Sequence, residues 1–171
     1  MEDKLHAVQG DVDVMSKELN DMVNVLLQRY VGTLDEYMKQ IDIKLGNSSE
    51  VTMEELEGWV LNLPSLLYFA SSALESLSIK EDVCKTIRTD VYNRSRELAS
   101  GTVADKNMSA SLACQTEDLA LLIYSRAVKK MKARIDAAYE MLNSIKKVIN
   151  YRVSEMELSS SKYIGGGVRD A

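Results

Sequence analysis

The sequence predicts an all-α fold: an elongated antiparallel helical hairpin with a long N-terminal helix of coiled-coil type. Three observations support this prediction. Apolar residues recur at steps of three and four along most of the 171 residues. Pro64 is the only proline, and proline interrupts regular helices. Only 6% of the residues are aromatic, whereas strands are enriched in aromatic and β-branched side chains.

The first predicted element is a helix over about residues 3–45, within an N-terminal segment of residues 1–46. Its apolar residues follow the a/d spacing of a coiled coil. The seam exposes more apolar surface than one narrow chain can cover, so we expect a homo-oligomer. The predicted interface residues are Leu5, Val8, Val12, Met15, Leu19, Met22 and Leu26. The pattern then continues through Tyr30, Leu34, Tyr37 and Ile41, and Gly46-Asn47-Ser48-Ser49 predicts a turn.

A helical hairpin core is predicted for residues 52–158. Thr52 and Glu55 have the spacing of a capping box, which predicts the start of its first helix. Pro64 should kink this helix or begin a new turn. The same capping-box spacing recurs at Ser78, where it predicts a break or bend.

A loop over residues 101–107 should connect the two arms of this hairpin. The second arm is predicted as one long helix from about Met108 to Met156, roughly 75 Å in length. Its apolar seam is Met108, Leu112, Leu119, Ile123, Ala127, Met131, Ile135, Ala138, Leu142, Ile145, Ile149, Val153 and Met156. Residues 159–171 contain a serine triplet and a glycine triplet, which predict a flexible tail.

Charge is distributed unevenly along the chain. Residues 1–60 carry 13 acidic and 5 basic side chains, whereas residues 126–152 carry 8 basic and 2 acidic ones. The net charge is −5. This asymmetry indicates either that the two regions pair, within one chain or across subunits, or that the basic region binds a polyanion.

The basic region suits single-stranded nucleic acid. Lys132, Tyr139 and Lys146 are seven residues apart and share one side of a helix, so lysines can meet phosphates while the ring stacks on a base. Asp136 and Glu140 interrupt the row. Alternatively, the lysines solvate the helix or pair with the acidic N-terminal helix. The candidate nucleic-acid contacts are Lys129, Lys130, Lys132, Arg134, Tyr139, Lys146, Lys147 and Arg152.

The sequence does not indicate catalysis. His6 is the only histidine, so triads and histidine-based metal sites lack partners. Cys84 and Cys114 suit free thiols in a reducing compartment. Glu54 and Glu57 resemble half of the magnesium motif of all-α nucleotide pyrophosphohydrolases, but acidic side chains are also favoured in the first turn of a helix. We expect no enzyme, no cofactor and no metal.

Several segments together resemble a known family, the small helical recombination mediators of T4-type phages. The resemblance covers about residues 57–156. It depends on Trp59, on Leu66-Leu67-Tyr68-Phe69, on Ile79-Lys80, on a polar loop after Gly101, and on a C-terminal helix ending in residues 142–152. The chain is also similar in a more general way to other small helical phage proteins.

The resemblance implies a homo-oligomeric ring that binds single-stranded DNA and helps to load a recombinase. Its contacts would include Lys129, Lys132, Lys146, Lys147 and Arg152, with Tyr139 as the stacking residue. The alternative is a protein-interaction module that does not bind nucleic acid, such as a virion assembly factor, an adaptor or an inhibitor of a host defence protein.

The expected location is the cytoplasm, which is the host cytoplasm if the chain is encoded by a phage. No apolar run approaches the length needed to span a bilayer, so no membrane association is predicted. The first residues, Met-Glu-Asp-Lys-Leu-His, do not read as a secretory signal.

Overall fold

The computed structural model describes the backbone of residues 2–46 and 51–164 and the side chains of residues 9–46 and 51–159. Four helices account for nearly all of these residues: α1 (Glu2–Gly46), α2 (Met53–Leu98), α3 (Val103–Ala113) and α4 (Gln115–Ile164). No strand occurs within the described residues. The predicted all-α fold and long N-terminal helix are therefore confirmed. No helix in the described part of the chain is both long and apolar enough to cross a membrane.

The chain divides into two compact units, and three helices contribute to both. Unit 1 consists of Met1–Gly32 and Ala70–Ala133, and unit 2 consists of Thr33–Phe69 and Arg134–Ala171. The boundaries between the units thus fall within α1, α2 and α4. The predicted sequence boundaries at residues 46 and 52 coincide instead with the ends of helices α1 and α2.

In each unit, α2 or the segment just before it contacts α4, as expected for the arms of a hairpin. In unit 1, the Nε of Arg88 late in α2 lies 2.6 Å from Oδ1 of Asp118 early in α4. In unit 2, Arg152 late in α4 donates a hydrogen bond to the carbonyl of Val51, just before α2.

The core of each unit is formed by apolar side chains from α1, α2 and α4. In unit 1 the buried residues are Val23, Leu27, Val31, Ala70, Leu77, Ala110, Cys114, Ala127 and Met131. In unit 2 they are Leu34, Ile41, Leu56, Trp59, Leu63, Leu67, Ile135, Ala138, Leu142 and Ile145. The predicted seam of the C-terminal helix is therefore buried from Ala127 to Ile145.

The start of α2 has the predicted capping box. The backbone N–H of Glu55 donates to Oγ1 of Thr52 at 3.2 Å, and the N–H of Thr52 donates to the Glu55 carboxylate at 3.1 Å. These bonds satisfy two amides that have no partner inside the helix. Lys44 of α1 forms an ion pair with the same carboxylate.

α2 is continuous at Pro64 and at Ser78, where the sequence predicted a kink or new turn and a break or bend. The helix continues through Pro64, which lies inside it, so no new helix begins there. Proline removes the amide that would bond to the carbonyl of Val60, and its ring crowds that carbonyl. Pro64 itself is exposed. The expected break at Ser78 is absent, because α2 remains helical on both sides of this residue.

The connection between the hairpin arms also differs from the prediction. The expected loop over residues 101–107 is wrong beyond Thr102, because α3 begins at Val103. Thr102 and Asp105 form a capping box, in which aspartate takes the place of the usual glutamate or glutamine. Gly101 has a φ of 108°, a conformation that glycine adopts without the steric penalty of a side chain.

The predicted single helix from Met108 to Met156 is broken at Cys114. This residue has a φ of −95° and a ψ of 6°, and its N–H bonds to the carbonyl of Ser111. Its thiol is buried and lies 3.6 Å from the carbonyl oxygen of Arg88. Met108 and Leu112, which we expected in the seam, are exposed.

At its other end, α4 extends to Ile164. Ser159-Ser160-Ser161 therefore belong to the helix and not to a flexible tail. The remainder of the predicted tail, including Gly165-Gly166-Gly167, lies outside the described residues, as does the predicted turn from Asn47 to Ser49.

Two leucines of α2 provide a matched test of this packing. Leu63 is fully buried, whereas Leu61 is exposed. Replacing Leu63 with alanine should lower the free energy of unfolding by about 2–5 kcal/mol, because a cavity forms in unit 2. Leu61→Ala should change it by less than about 0.5 kcal/mol. Urea unfolding followed by the fluorescence of Trp59 measures both, and equal losses would contradict the assigned core.

Candidate functional site

Three of the eight candidate nucleic-acid contacts have partners within the chain. Lys130 donates to Oδ1 of Asn20 at 3.0 Å in unit 1. Arg134 forms an ion pair with Asp35 of α1 in unit 2. Arg152 donates to the carbonyl of Val51. Of the three, only Arg134 has its charge offset by an acidic partner, because Lys130 and Arg152 donate to neutral oxygen atoms.

The other five candidates point to solvent. Lys129 and Lys132 in unit 1, and Lys146 and Lys147 in unit 2, are exposed. None of these four lysines forms an ion pair among the side chains that the structure describes. Tyr139 in unit 2 is also exposed. The lysines are therefore free to meet an anion, with Asp136 and Glu140 on the same helix.

Asp35 is the half-buried partner of the basic helix in unit 2. Burial raises the pKa of its carboxyl above the usual value, and the charge of Arg134 acts in the opposite direction. Part of the predicted pairing between α1 and the basic helix thus occurs inside the chain, as this one ion pair.

The predicted interface on α1 is largely uncovered. We call Val12, Met15, Leu19, Met22 and Leu26 the α1 stripe. Val12 is 54% exposed, Met15 is 68% exposed and Met22 is 47% exposed, while Leu19 and Leu26 are half-buried. Leu5 and Val8 lie outside the residues whose side chains are described.

The α1 residues that enter the core occupy the neighbouring row of the helix. In unit 1 these are Val23, Leu27 and Val31, and the first two directly follow Met22 and Leu26 of the α1 stripe. Consecutive residues of a helix are about 100° apart around its axis. The stripe therefore borders the core without entering it.

Acidic side chains flank the stripe on its outer side. Asp11 and Glu18 each precede a stripe residue by one position, which corresponds to position g of the heptad. Both are exposed, and neither forms an ion pair within the described part of the chain. The stripe thus combines an apolar centre with a negative edge.

The sequence analysis missed a second apolar surface, on α2 in unit 2. Leu61 is 77% exposed, Tyr68 is 71% exposed and Phe69 is 65% exposed. The rings of Tyr68 and Phe69 form an edge-to-face pair with centroids 5.5 Å apart. One signal was present, because residues 58–74 contain no charged side chain.

The features considered for catalysis do not form a site in the described residues. Glu54 and Glu57 are exposed in the first turns of α2, and no cluster of potential metal ligands is found among the described side chains. The side chain of His6 lies outside them. An open cleft of about 610 Å³ is lined by Thr52, Arg152 and Glu155, among others, but Arg152 already donates to Val51.

The ion pair in unit 2 predicts a pH-dependent effect. The folded-state pKa of Asp35 is raised, so the stability gained by protonating it is present below the unfolded pKa, near 3.9, and is lost as pH rises through the folded pKa. Arg134→Met removes the counter-charge and should raise the pKa of Asp35 further. The variant should therefore lose more stability relative to the original chain at about pH 7 than at about pH 4.

Urea midpoints at the two pH values measure this difference. Lys132→Met is the control, because Lys132 is exposed and lacks an ion pair within the described chain. A loss of stability in Arg134→Met that does not change with pH would show that the ion pair has no electrostatic role.

Comparisons with known proteins do not identify a role for these surfaces. The chain matches no protein-family model, no curated protein and no solved structure. The described part of the chain presents an apolar stripe with an acidic edge, an exposed aromatic surface and four lysines without an ion pair among the described side chains.

Proposed function

We propose that the chain is a non-catalytic protein-interaction module that binds a helix of a partner protein through the α1 stripe. The exposure of Val12, Met15 and Met22 at heptad spacing is the observation that carries this proposal. Contiguous apolar side chains left uncovered by the chain itself are typical of protein-binding surfaces. At a/d spacing they suit an amphipathic helix, which can complete a coiled-coil contact.

The charge at the edge of the stripe specifies the chemistry of the partner. Charged residues at positions e and g of a coiled coil set partner choice. Asp11 and Glu18 at position g favour a helix whose apolar face is flanked by lysine or arginine. The partner helix would therefore be basic as well as amphipathic.

A second copy of α1 fits this edge poorly. In an antiparallel pair, the g positions of the two helices lie opposite each other, so a register that centres Asp11 and Glu18 places acidic side chains opposite acidic ones. In a parallel pair, Asp11 and Glu18 would lie opposite Ser16 and Val23, at position e, and neither is basic. Val23 is also buried within the chain's own core.

Single-stranded DNA binding is the second candidate, favoured by a separate observation. Lys146 and Lys147 are exposed without ion pairs in the described chain, and Tyr139 is exposed on the same helix in unit 2. Cations beside an exposed ring suit a phosphate backbone with stacked bases. This is also the function implied by the resemblance to recombination mediators, with a recombinase as the protein partner.

The first proposal can be tested with designed helical peptides. One peptide carries leucine at a and d with lysine at e and g, and its matched control carries glutamate at e and g. We expect the lysine peptide to bind and the glutamate peptide to bind at least about tenfold more weakly, because acidic edges repel each other. Isothermal titration calorimetry measures both affinities.

Variants then locate the binding site. Met15→Lys with Met22→Lys should abolish binding of the lysine peptide, because charge enters the apolar centre of the stripe. Leu98→Lys is the control, since Leu98 is exposed at the end of α2. Equal binding of the two peptides, or binding unaffected by the double variant, would contradict the proposal.

The second candidate predicts salt-dependent binding of a single-stranded oligonucleotide in fluorescence anisotropy. Replacing Lys146 and Lys147 with glutamate should abolish that binding and Tyr139→Ala should weaken it, because phosphate contacts and stacking are removed. Lys17→Glu with Lys39→Glu, at two exposed positions of α1, is the charge-matched control. Absence of binding at low salt would exclude the second candidate and leave the first unaffected.

A further inference from the structure

We infer that the exposed surface of α2 in unit 2 is a self-association site, at which a second copy of this chain docks around a two-fold axis at Ser65. The α2 patch consists of Leu61, Asn62, Ser65, Tyr68 and Phe69. All five are exposed. The inference extends the proposed interaction function to a second surface, and it uses no residue of the α1 stripe.

The α2 patch lacks the features that normally keep an exposed helix face monomeric. Residues 58–74 carry no charge, so a contact confined to this stretch of α2 buries no charge of that helix. Tyr68 and Phe69 are of the residue types that dominate the binding energy of protein interfaces or are enriched in their cores. An uncharged surface with an exposed aromatic pair is therefore suited to association.

The order of residues within the patch makes it complementary to itself. Leu61 and Asn62 precede Ser65 by four and three positions, and Tyr68 and Phe69 follow it by three and four. A two-fold axis at Ser65 in an antiparallel pair of helices therefore places the aromatic pair of each copy opposite Leu61 and Asn62 of the other. Serine at the centre is small and allows the two helices to approach closely.

A cleft beside the patch adds room for an aromatic side chain. It has a volume of about 330 Å³ and is lined by Asn62, Ser65 and Leu66 of α2 and by Thr33, Glu36, Tyr37 and Gln40 of α1. Glu36 is exposed, so its carboxylate can stay in water at the rim. Because the two-fold axis brings the aromatic pair of the second copy to Asn62, that pair reaches the rim of the cleft. The ring would find apolar surface on Leu66 and hydrogen-bonding groups on Asn62 and Gln40.

The size of the patch sets the strength of the contact. Aromatic side chains bury roughly 150–250 Å² each, so at their present exposure the rings and leucines of two patches can remove on the order of 700 Å² from water. Stable interfaces bury about 1,200–2,000 Å². We therefore expect a reversible dimer that dissociates on dilution.

Sedimentation velocity of the full chain across a dilution series tests this inference. The chain should shift from dimer to monomer on dilution, and Tyr68→Ala with Phe69→Ala should raise the dimer dissociation constant at least about tenfold. Leu98→Ala, an exposed leucine of the same helix outside the patch, should leave it unchanged. Alanine is a strong helix former, and circular dichroism verifies that the variants remain helical.

A cysteine scan tests the symmetry independently. Ser65→Cys should form a disulfide-linked dimer under mild oxidation, because the two-fold axis places the two introduced thiols together. Ser72→Cys should not, since its two copies would lie about 21 Å apart along the helices. The original chain, with Cys84 half-buried and Cys114 buried, gives the background.

A chain that remains monomeric at every concentration, or one whose dimer persists in the double alanine variant, would overturn the inference. So would a dimer that is lost in Met15→Lys with Met22→Lys, since the α1 stripe would then be the contact between copies. Failure of the α1 peptide test leaves the dimer result unchanged, so failure of either proposal can be distinguished.

Discussion

The fold depends on the packing of one apolar face from each of the three long helices. A helix presents a single apolar face to a core, and in unit 1 the buried face of α1 contains Val23 and Leu27, which lie in the same core as Met131 of α4. Apolar residues outside these buried faces cannot be buried by the same chain. The exposed surfaces on α1 and α2 are thus a consequence of helices that carry more apolar residues than one face can hold.

The sequence predicts the helices well because their periodicity is long and regular. The capping box at Thr52 was also predicted from the sequence, because it depends on two residues only three positions apart. The sequence did not show which of the two adjacent apolar rows on α1 is buried. Met22 and Val23 are both apolar neighbours, and only the positions of α2 and α4 decide that Val23 enters the core and Met22 remains exposed. Periodicity alone cannot distinguish two adjacent apolar rows.

The break at Cys114 and the continuity at Pro64 also show that local sequence signals do not decide where a helix is interrupted. No glycine or proline marks the break, and Cys114 becomes buried beside the carbonyl of Arg88 only because α2 and α3 meet there. Pro64 is the strongest local signal for interruption, yet α2 continues through it. For the basic helix, sequence counts the charges but does not show that Asp35 pairs with Arg134. Tertiary contacts therefore decide which charges and apolar residues remain available to partners.

The chain's own methionines provide the most direct test of the claim that it leaves the α1 stripe uncovered. Methyl-labelled methionines can be observed by NMR in the presence of a soluble paramagnetic agent. In the free chain, the methyl signals of Met15 and Met22 should broaden strongly and that of Met131 should not, because Met131 is buried. Addition of the basic amphipathic peptide should protect Met15 and Met22. Protection of these two methyls in the free chain, equal to that of Met131, would contradict the account.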